Sequence, residues 1–244
     1  MPNNDSHEHF LSSASIEPAV FELRPDYRAL LLVIDGFEAA PSNPASNELV
    51  DAAEAHARKL LAGCAAEELP HIVAWREAYR AFGAKPQRTR NSLEALTRRA
   101  AEQLPRVNAL TDIYNAISVL HQVPIGGEDL ALYQGPARLM RATGDEDFEA
   151  FANHAPVVEH PSAGEIIWRD DHSVTCRRWN WRQGPRTGLT DQTKTAFFIF
   201  DALHPMTNEA LDAAAAQLAA ALTLTRPGIT VSQRLVAAPG DRTP

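Results

Sequence analysis

The apolar residues of this chain recur with two different spacings, and the change between them divides the sequence into two halves. In the first half the spacing is three to four residues, which is typical of amphipathic helices. We predict helices there over residues 47–63, 71–82 and 109–121, and one more that begins after Asn91. Residues 124–127, which read Pro-Ile-Gly-Gly, are expected to break the helix over 109–121 and to turn the chain. Asn91 precedes Glu94 by three residues, which matches a capping box at the start of that helix.

Short runs of β-forming residues dominate the second half. One buried strand is predicted before the helices, over residues 29–34. The later runs cover residues 131–133, 137–141, 165–169, 173–179, 196–200 and 229–236, with one Ala-rich helix over 208–222. Helices gathered in one half and strands in the other predict an α+β fold, with a mainly antiparallel or mixed sheet in the C-terminal half.

No internal repeat or long linker divides the chain, so we expect a single domain over residues 25–238. The polar segment 1–24 lacks the features of a signal peptide and is expected to be loosely ordered, as is the tail 239–244. Cys64 and Cys176 lie far apart with no CxxC motif, which indicates reduced thiols. Because no apolar run has membrane-spanning length, we predict a cytoplasmic protein with no membrane partner.

Charge is unevenly distributed along the chain. The 244 residues carry a formal net charge of −8, which argues against a protein that binds nucleic acid over its whole surface. Residues 71–109, however, hold eight basic side chains against three acidic ones. Such a basic region on an acidic body can attract a polyanion to one place, although a solvated helical face would have the same composition.

Several familiar catalytic motifs are absent from the sequence. It contains no GxxxxGK[ST], GxGxxG, HExxH or GxSxG, so P-loop, dinucleotide-binding, zinc-protease and α/β-hydrolase sites are not indicated. The nine histidines do not cluster with metal-ligand spacing. We therefore expect neither a metal nor a cofactor, and no ATP-dependent ligase activity.

The richest chemistry lies in residues 176–183, which read Cys-Arg-Arg-Trp-Asn-Trp-Arg-Gln. Indole faces stack on flat π systems, and guanidinium groups bind phosphate or carboxylate through two hydrogen bonds. One interpretation is a simple strand whose tryptophans, Trp179 and Trp181, face the core while its other face meets water. The other interpretation is a site for a nucleotide or an aminoacyl group.

Four segments, taken in order, resemble the B3/B4 domain, the editing and tRNA-recognition module of the bacterial phenylalanyl-tRNA synthetase β chain. They resemble the freestanding B3/B4-domain proteins still more closely. The segments are FGAKP at 82–86 continuing to RNSLEALTRR at 90–99, NALTDIYN at 108–115, PIGGED at 124–129, and GEIIWRDD at 164–171 continuing through 176–183 to TGLT at 187–190. Together they span about residues 72–205.

The resemblance implies a domain with a cleft that accepts the 3′ end of a mischarged tRNA and hydrolyses its aminoacyl ester. In that family the helix ending at the asparagine that matches Asn115, and a glycine-containing turn that matches the region of Gln183, border the pocket. Two positions depart from the synthetase pattern: Gly126 replaces a histidine, and Ile199 falls near a strand glutamate. The amino acid that is recognised therefore does not follow from the resemblance.

Candidate site residues follow from these segments and from their chemistry. Hydrolysis of an aminoacyl ester requires the terminal adenosine to be held, the carbonyl to be polarised and a water to be within reach. We expect three catalytic residues, Asn115, Asn180 and Glu128. Substrate binding is predicted for Gly126, Gly127, Asp129, Arg178, Trp179, Trp181, Arg182 and Gln183, and contact with the tRNA backbone for Lys85, Arg88, Arg90, Arg98 and Arg99.

These assignments have structural alternatives, such as a cap for Asn115 or Asp129, or a backbone requirement for Gly126 and Gly127. Three hypotheses of function also stay open. The first is a cytoplasmic, metal-free editing domain that binds the acceptor end of aminoacyl-tRNA, with no role for DNA, and deacylates a mischarged species in trans. The second is a non-catalytic protein that binds aminoacyl-tRNA or an amino-acid derivative. The third is a small-molecule enzyme or sensor that uses the cleft without RNA. The oligomeric state is not predicted.

Overall fold

The computed structural model of the protein describes residues 4–38, 40–225 and 228–240. Within them the helices are α1 (Asn4–Ser13), α2 (Pro18–Leu23), α3 (Pro44–Leu61), α4 (Pro70–Ala81), α5 (Ser92–Glu102), α6 (Ala109–His121) and α7 (Asn208–Thr225). The strands are β1 (Ser15–Ile16), β2 (Arg28–Asp35), β3 (Ile125–Asp129), β4 (Arg138–Arg141), β5 (Phe148–Ala152), β6 (Ala155–Glu159), β7 (Ile166–Arg169), β8 (Val174–Arg177), β9 (Arg182–Gln183), β10 (Thr195–Ala202) and β11 (Thr230–Ala237). The predicted α+β class is confirmed.

The strands form two larger sheets and one separate hairpin. The first sheet has the order β11-β2-β10-β3 and is antiparallel throughout. The second has the order β1-β4-β7-β8-β9, and its one parallel pair is β1 with β4. Strands β5 and β6 pair only with each other. The sheet of the C-terminal half is therefore mixed, as the sequence predicts.

Strand β10 separates two hydrophobic layers, because neighbouring residues on a strand point to opposite faces. Phe198 packs with Ile113 of α6 and with α7 on one face. Ile199 belongs to the other layer, which contains Trp75 of α4 and Trp179 from the second sheet. The candidate site lies on this second face of β10.

The predicted helices match the observed ones to within a few residues. Asn91 caps α5 as expected, and its side chain accepts a hydrogen bond of 2.9 Å from the Glu94 backbone N–H. The Glu94 carboxylate does not close a capping box, because it instead accepts hydrogen bonds from Arg76 at 2.8 and 2.9 Å. The N-terminus of α5 is thus held partly by a buried ion pair to α4.

Two predictions around the end of α6 are wrong. The Gly126–Gly127 pair does not turn the chain, because Gln122 caps α6 in the left-handed conformation, with φ of 52°, and the reversal is complete before Ile125. Both glycines lie in β3 and pair with β10. Residues 131–133 do not form a strand, because Asp129 caps a short 3-10 turn at Leu130–Leu132.

The segment 1–24, expected to be loosely ordered, forms α1, β1 and α2 from residue 4 onward. Its apolar side chains enter the core, where Leu11 and Val20 are buried and Phe10 packs edge-on against Phe197. Arg234 of β11 binds the last carbonyl groups of α1, including that of Ser12 at 2.9 Å. The segment is ordered because its few apolar side chains are buried in the core, although its overall composition is polar. Residues 241–244 of the predicted tail lie outside the described residues.

Candidate functional site

A cavity of about 440 Å³ opens between β3, β10 and the β8–β9 hairpin. Seven of the sequence-predicted site residues line it: Gly126, Glu128, Trp179, Asn180, Trp181, Arg182 and Gln183. Ser92, Ile125, Trp168, Cys176, Ile199 and Asp201 complete the wall. The glycine strand and the tryptophan–arginine segment therefore share one concave surface.

The tryptophan–arginine segment is a tight hairpin and not a continuous strand, which corrects the simple strand interpretation. Arg178 and Trp179 adopt left-handed backbone conformations, with φ of 48° and 68°. The chain then returns as β9, where Arg182 pairs with Arg177. Left-handed conformations are uncommon for residues other than glycine and concentrate at functional sites. The turn lets the five consecutive residues 179–183 line the cavity, which the alternation of side chains along a continuous strand would not allow.

The two tryptophans of the hairpin have different environments. Trp179 is fully buried and packs edge-on against Trp75 and Tyr27, with ring centroids 5.4 and 4.9 Å away. Trp181 is half-buried, and the Arg178 guanidinium lies 4.4 Å from its ring centroid. Trp179 thus forms part of the inner wall, whereas Trp181 is the indole that a flat ligand at the entrance could reach.

Asn180 is held in place by hydrogen bonds from two helices. Its backbone carbonyl accepts a hydrogen bond of 3.0 Å from the Ser92 N–H at the start of α5. Its side-chain oxygen accepts a hydrogen bond of 2.9 Å from the Tyr79 hydroxyl of α4. Burial raises the pKa of Tyr79 well above its ordinary value, so that hydroxyl remains a donor. The amide nitrogen of Asn180 is buried beside the Asp201 carboxyl group and makes no hydrogen bond of good geometry among the described residues.

Several buried polar atoms of the cavity wall lack a hydrogen-bond partner among the described residues. They are Asn180 Nδ2, Trp168 Nε1, Trp179 Nε1 and Ser92 Oγ. A buried donor without a partner is destabilising by roughly 1–3 kcal/mol, so most such groups in proteins are paired. Three of these atoms are N–H donors. Each of these atoms is itself buried, and the side chains of Asn180 and Trp168 lie beside the carboxyl group of Asp201.

Glu128 supplies one of two buried carboxyl groups in the wall. It accepts a hydrogen bond of 3.1 Å from the Thr187 hydroxyl and another from the Tyr133 hydroxyl. Burial raises its pKa to about 7, although these two hydroxyls and Arg186 act in the opposite direction. A carboxyl group that titrates near neutral pH can exchange a proton with a bound substrate.

Asp201 is the second buried carboxyl group, and it is not among the residues predicted from the sequence. Tyr27 Oη donates a hydrogen bond of 2.5 Å to its Oδ1. Burial raises the pKa of Asp201 to about 7. The side chains of Asn180 and Trp168 lie beside the carboxyl group and lower that pKa, although neither N–H reaches hydrogen-bond geometry. A polar residue two positions beyond Ile199, within an otherwise apolar strand, is the sequence signal that points to it.

The two glycines of β3 have separate roles. Gly126 pairs with Ile199 and faces the cavity, and a Cβ atom there would lie 3.0 Å from Gln183 Nε2. Gly127 pairs with Phe198 on the opposite face, where a Cβ atom would lie 2.8 Å from Leu189 Cδ1. Gly126 therefore keeps space in the site open. Gly127 meets a packing requirement and does not line the cavity.

Asn115 and Asp129 are not brought to the cavity. Asn115 lies on α6, and α6 packs on the face of β10 that carries Phe198, opposite to the face that carries Ile199. Asp129 accepts hydrogen bonds of 3.0 Å from the Ala131 N–H and 2.7 Å from the Thr193 hydroxyl. Asp129 is thus a structural cap, which was the alternative interpretation of this residue.

The arginines near the site are engaged by carboxylates. Arg177, which is buried, binds Glu165 through two hydrogen bonds of 2.8 and 2.9 Å and reaches Glu159 at 2.8 Å. Arg182 also binds Glu159, at 3.0 Å, and Arg178 lies 3.4 Å from Glu165. The hairpin is therefore fixed by an ion-pair network. Its guanidinium groups are oriented, and two carboxylates partly balance their charge.

The predicted backbone-binding residues divide into two groups. Arg90 and Arg98 both approach the buried Glu94, at 3.6 and 3.2 Å, so they help to hold α5. Lys85, Arg88 and Arg99 are exposed and form no ion pair within the part of the chain that the structure describes. Only the second group presents unpaired positive charge at the surface.

Two further observations concern a cysteine nucleophile and a metal ion, the other groups that could take part in catalysis at this site. Burial raises the pKa of the Cys176 thiol well above its ordinary value, so the group is held as a thiol and is a poor nucleophile. Over the described ranges, no group of three or more His, Cys, Asp or Glu side chains is placed to hold a metal ion. The carboxyl groups and N–H donors are therefore the reactive groups of this cavity.

Helix length and polarity bear on a membrane location. None of the helices in the described ranges is both long and apolar enough to cross a lipid bilayer.

Comparison with known proteins places the chain in a family. No curated protein sequence matches it. Among solved structures, an N-terminal fragment of the phenylalanyl-tRNA synthetase beta-subunit from Pyrococcus horikoshii is similar at 11% identity, with a TM-score of 0.45. The match covers 92% of this chain and 54% of that one, so the chain spans about half the length of the fragment. The family model of the B3/4 domain matches residues 74–220, which include α5, α6 and every strand of the cavity wall. The chain belongs to the B3/4 domain family.

Proposed function

We propose that the protein binds the aminoacylated 3′ end of tRNA in the cytoplasm and hydrolyses the ester of a mischarged species in trans. The observation that carries the proposal is the single cavity walled by Gly126 of β3 and by the hairpin residues Asn180 and Trp181. It combines a titratable carboxyl group, N–H donors without a partner and an accessible indole. These are the groups that an aminoacyl ester attached to an adenosine requires.

In the proposed reaction a water molecule attacks the ester carbonyl, and the ribose oxygen leaves with a proton. Glu128 takes the proton from the attacking water when ionised and returns it to the leaving oxygen. Asn180 Nδ2 donates a hydrogen bond to the carbonyl oxygen as negative charge develops there. Its orientation is set in advance by the Tyr79 hydroxyl at 2.9 Å, so little reorganisation is needed during the reaction.

The adenosine would lie at the entrance to the cavity. Trp181 offers a face for its base, since it is half-buried whereas Trp179 is fully buried. Base stacking on an aromatic side chain contributes about 1–3 kcal/mol per base. Arg182, also half-buried, is close enough to Trp181 to stabilise its orientation, with its guanidinium 5.9 Å from the ring centroid.

The decisive experiment measures deacylation of a panel of mischarged tRNAs by the wild-type protein and by Asn180→Ala. We expect wild-type protein to release the amino acid from at least one species, and the variant to lose most of that rate. A Lys59→Ala variant, which removes an exposed charge on α3 away from the cavity, is the matched control. Absence of release from every tRNA would refute the catalytic part of the proposal.

A second candidate function is binding without turnover. It is favoured by the fact that both buried carboxyl groups already accept hydrogen bonds from hydroxyls, Glu128 from Tyr133 and Thr187, and Asp201 from Tyr27. A carboxyl group occupied in this way is less free to activate water. Under this alternative, aminoacyl-tRNA binds to the wild-type protein and Asn180→Ala weakens that binding, while no ester is cleaved.

A further inference from the structure

A second cavity, of about 610 Å³, lies between the loop that joins α4 to α5 and the β8–β9 hairpin. The loop contributes Lys85, Arg88 and Thr89 to its wall, and the hairpin contributes Arg178. Ser162 adds a hydroxyl group at the rim. The chain thus brings together three cationic side chains that are up to 93 residues apart in the sequence.

The wall of this second cavity carries more positive than negative charge. Its wall contains one carboxylate, that of Glu165, beside the three cations. Glu165 accepts two hydrogen bonds of 2.8 and 2.9 Å from Arg177, outside this wall, and it also lies 3.4 Å from Arg178. Lys85 and Arg88 have no ion-pair partner among residues 4–38, 40–225 and 228–240. The unpaired positive charge of the wall therefore comes from Lys85 and Arg88. A concave surface lined by cations of this kind attracts anions.

The most buried part of the cavity is already ordered. Thr89 is 5% exposed, and its hydroxyl accepts a hydrogen bond from the Arg178 guanidinium. The backbone N–H groups of Arg88 and Thr89 both bind the Lys85 carbonyl at 2.9 Å, which closes the loop into a turn. Arg178 is therefore positioned before any ligand arrives, and less conformational entropy is lost on binding.

Arg178 also connects the two cavities. It lines the second cavity, while its guanidinium lies 4.4 Å from the ring centroid of Trp181, which lines the first. A group that binds to Arg178 in the second cavity would therefore be close to a flat ring stacked at the entrance of the first. In a nucleic acid strand, phosphate groups and bases have this proximity.

We propose that the second cavity is a phosphate-binding site, and that its ligand is a phosphodiester group of the RNA strand whose 3′ end enters the first cavity. Arginine and lysine bind phosphate through charge-assisted hydrogen bonds, and hydroxyl groups supplement them. The site needs no base-specific contact, so it would hold the strand irrespective of sequence. That the strand is the end of a tRNA rests on the proposed function, whereas the phosphate site itself does not.

The test measures binding of a short single-stranded RNA with a free 3′ hydroxyl, by fluorescence anisotropy at several salt concentrations. The double variant Lys85→Ala/Arg88→Ala is compared with Lys59→Ala/Lys194→Ala, which also removes two positive charges from exposed positions outside both cavities. We expect about tenfold weaker binding for the first variant, and a salt dependence whose slope falls by roughly 0.7 for each phosphate that is no longer bound. The second variant should bind like the wild-type protein.

A second RNA, identical except for uncharged methylphosphonate linkages, identifies the group that is bound. We expect the wild-type protein and Lys85→Ala/Arg88→Ala to bind this RNA equally. Equal loss of affinity in both double variants, or a difference between them that persists with the uncharged backbone, would overturn the proposal. Phosphate-dependent binding without deacylation of any tRNA would refute the catalytic function alone. Deacylation with no effect of Lys85→Ala/Arg88→Ala on RNA affinity would refute the phosphate site alone.

Discussion

Tyr27 Oη donates a hydrogen bond of 2.5 Å to Asp201 Oδ1 across 174 residues of sequence, and Asp201 lines the cavity. Burial raises the pKa of Asp201 to about 7 and that of Tyr27 well above its ordinary value. The tyrosine therefore stays protonated, and the aspartate is the member of the pair that titrates near neutral pH.

The first prediction concerns stability as a function of pH. In the unfolded chain an aspartate has a pKa of about 3.9, so between about pH 4 and 7 the folded state holds the Asp201 proton more tightly. This contribution to the free energy of unfolding is complete below the unfolded pKa and is lost as the pH rises through about 7. Asp201→Asn should remove it, because the amide keeps an acceptor for Tyr27 but does not titrate.

Urea unfolding of wild type and Asp201→Asn at a series of pH values checks this prediction. We expect the stability of the wild-type protein to fall relative to that of the variant as the pH rises from about 4 to 8. Glu128 titrates in the same range in both proteins, so the difference between the two curves isolates Asp201. Parallel curves would show that Asp201 does not carry a raised pKa.

A second prediction compares the two neighbouring glycines of β3. Gly127→Ala places a Cβ atom 2.8 Å from Leu189 Cδ1 and 3.0 Å from Phe198 Cε1, and such overpacking is destabilising by roughly 1–3 kcal/mol. Gly126→Ala meets only the Gln183 amide at 3.0 Å, and a flexible side-chain end can move aside. We expect Gly126→Ala to keep its stability while losing ligand affinity, because the methyl group enters the cavity.

Thermal unfolding and RNA binding together distinguish these two variants. Each glycine variant serves as the control for the other, since the sequence change is identical and the positions are adjacent. If both lost the same amount of stability, the separate roles of the two faces of β3 would be wrong.

A third prediction concerns the reaction itself. Glu128→Gln retains an acceptor for the Thr187 hydroxyl but cannot take a proton from water. The deacylation rate should therefore fall by a factor of about 10²–10⁴. In the wild-type protein the rate should rise with pH through about 7, as Glu128 ionises, and the variant should not share this rise. Single-turnover deacylation over this range measures both effects. An unchanged pH profile in the variant would exclude Glu128 as the base.

A fourth prediction separates the hairpin tryptophans. Trp179→Ala should lower the free energy of unfolding by about 3–5 kcal/mol, because removal of a fully buried indole leaves an empty cavity in the core. Trp181→Ala should cost much less stability but should weaken RNA binding by about 1–3 kcal/mol, because the base no longer stacks on the indole. Denaturant unfolding and fluorescence anisotropy measure the two quantities. Equal stability losses would contradict the different environments of the two rings.

The sequence predicts the helices and most strands well because their signals are periodic and local. The predictions fail where the structure depends on backbone conformations or tertiary contacts that local sequence patterns do not reveal. The hairpin is missed because Arg178 and Trp179 adopt left-handed conformations without glycine or asparagine at either position. Asn115 is misplaced because the face of β10 on which α6 packs depends on the tertiary fold.

The residues of the candidate site also divide into those that the sequence predicts and those that it does not. The adjacency of Gly126 and the tryptophan–arginine segment is expected from the sequence, since the resemblance places both at one pocket. Asp201 and Tyr79 are not predicted as site residues. The role of an aspartate in a buried strand, or of a tyrosine in a buried helix, becomes clear only when its hydrogen-bond partner is known. Those partners are distant in sequence and close only in the folded chain.

The two-sided use of β10 has a consequence for how this protein tolerates change. Its side chains alternate between the site and the helix layer, as Ile199 and Phe198 do. A deletion of one residue here would exchange the two sets, moving the Asp201 carboxyl group into the apolar layer beside α7 and pointing the Phe200 ring into the cavity. Substitutions can adjust this strand one side chain at a time, whereas a change in its length would abolish the cavity and the core together.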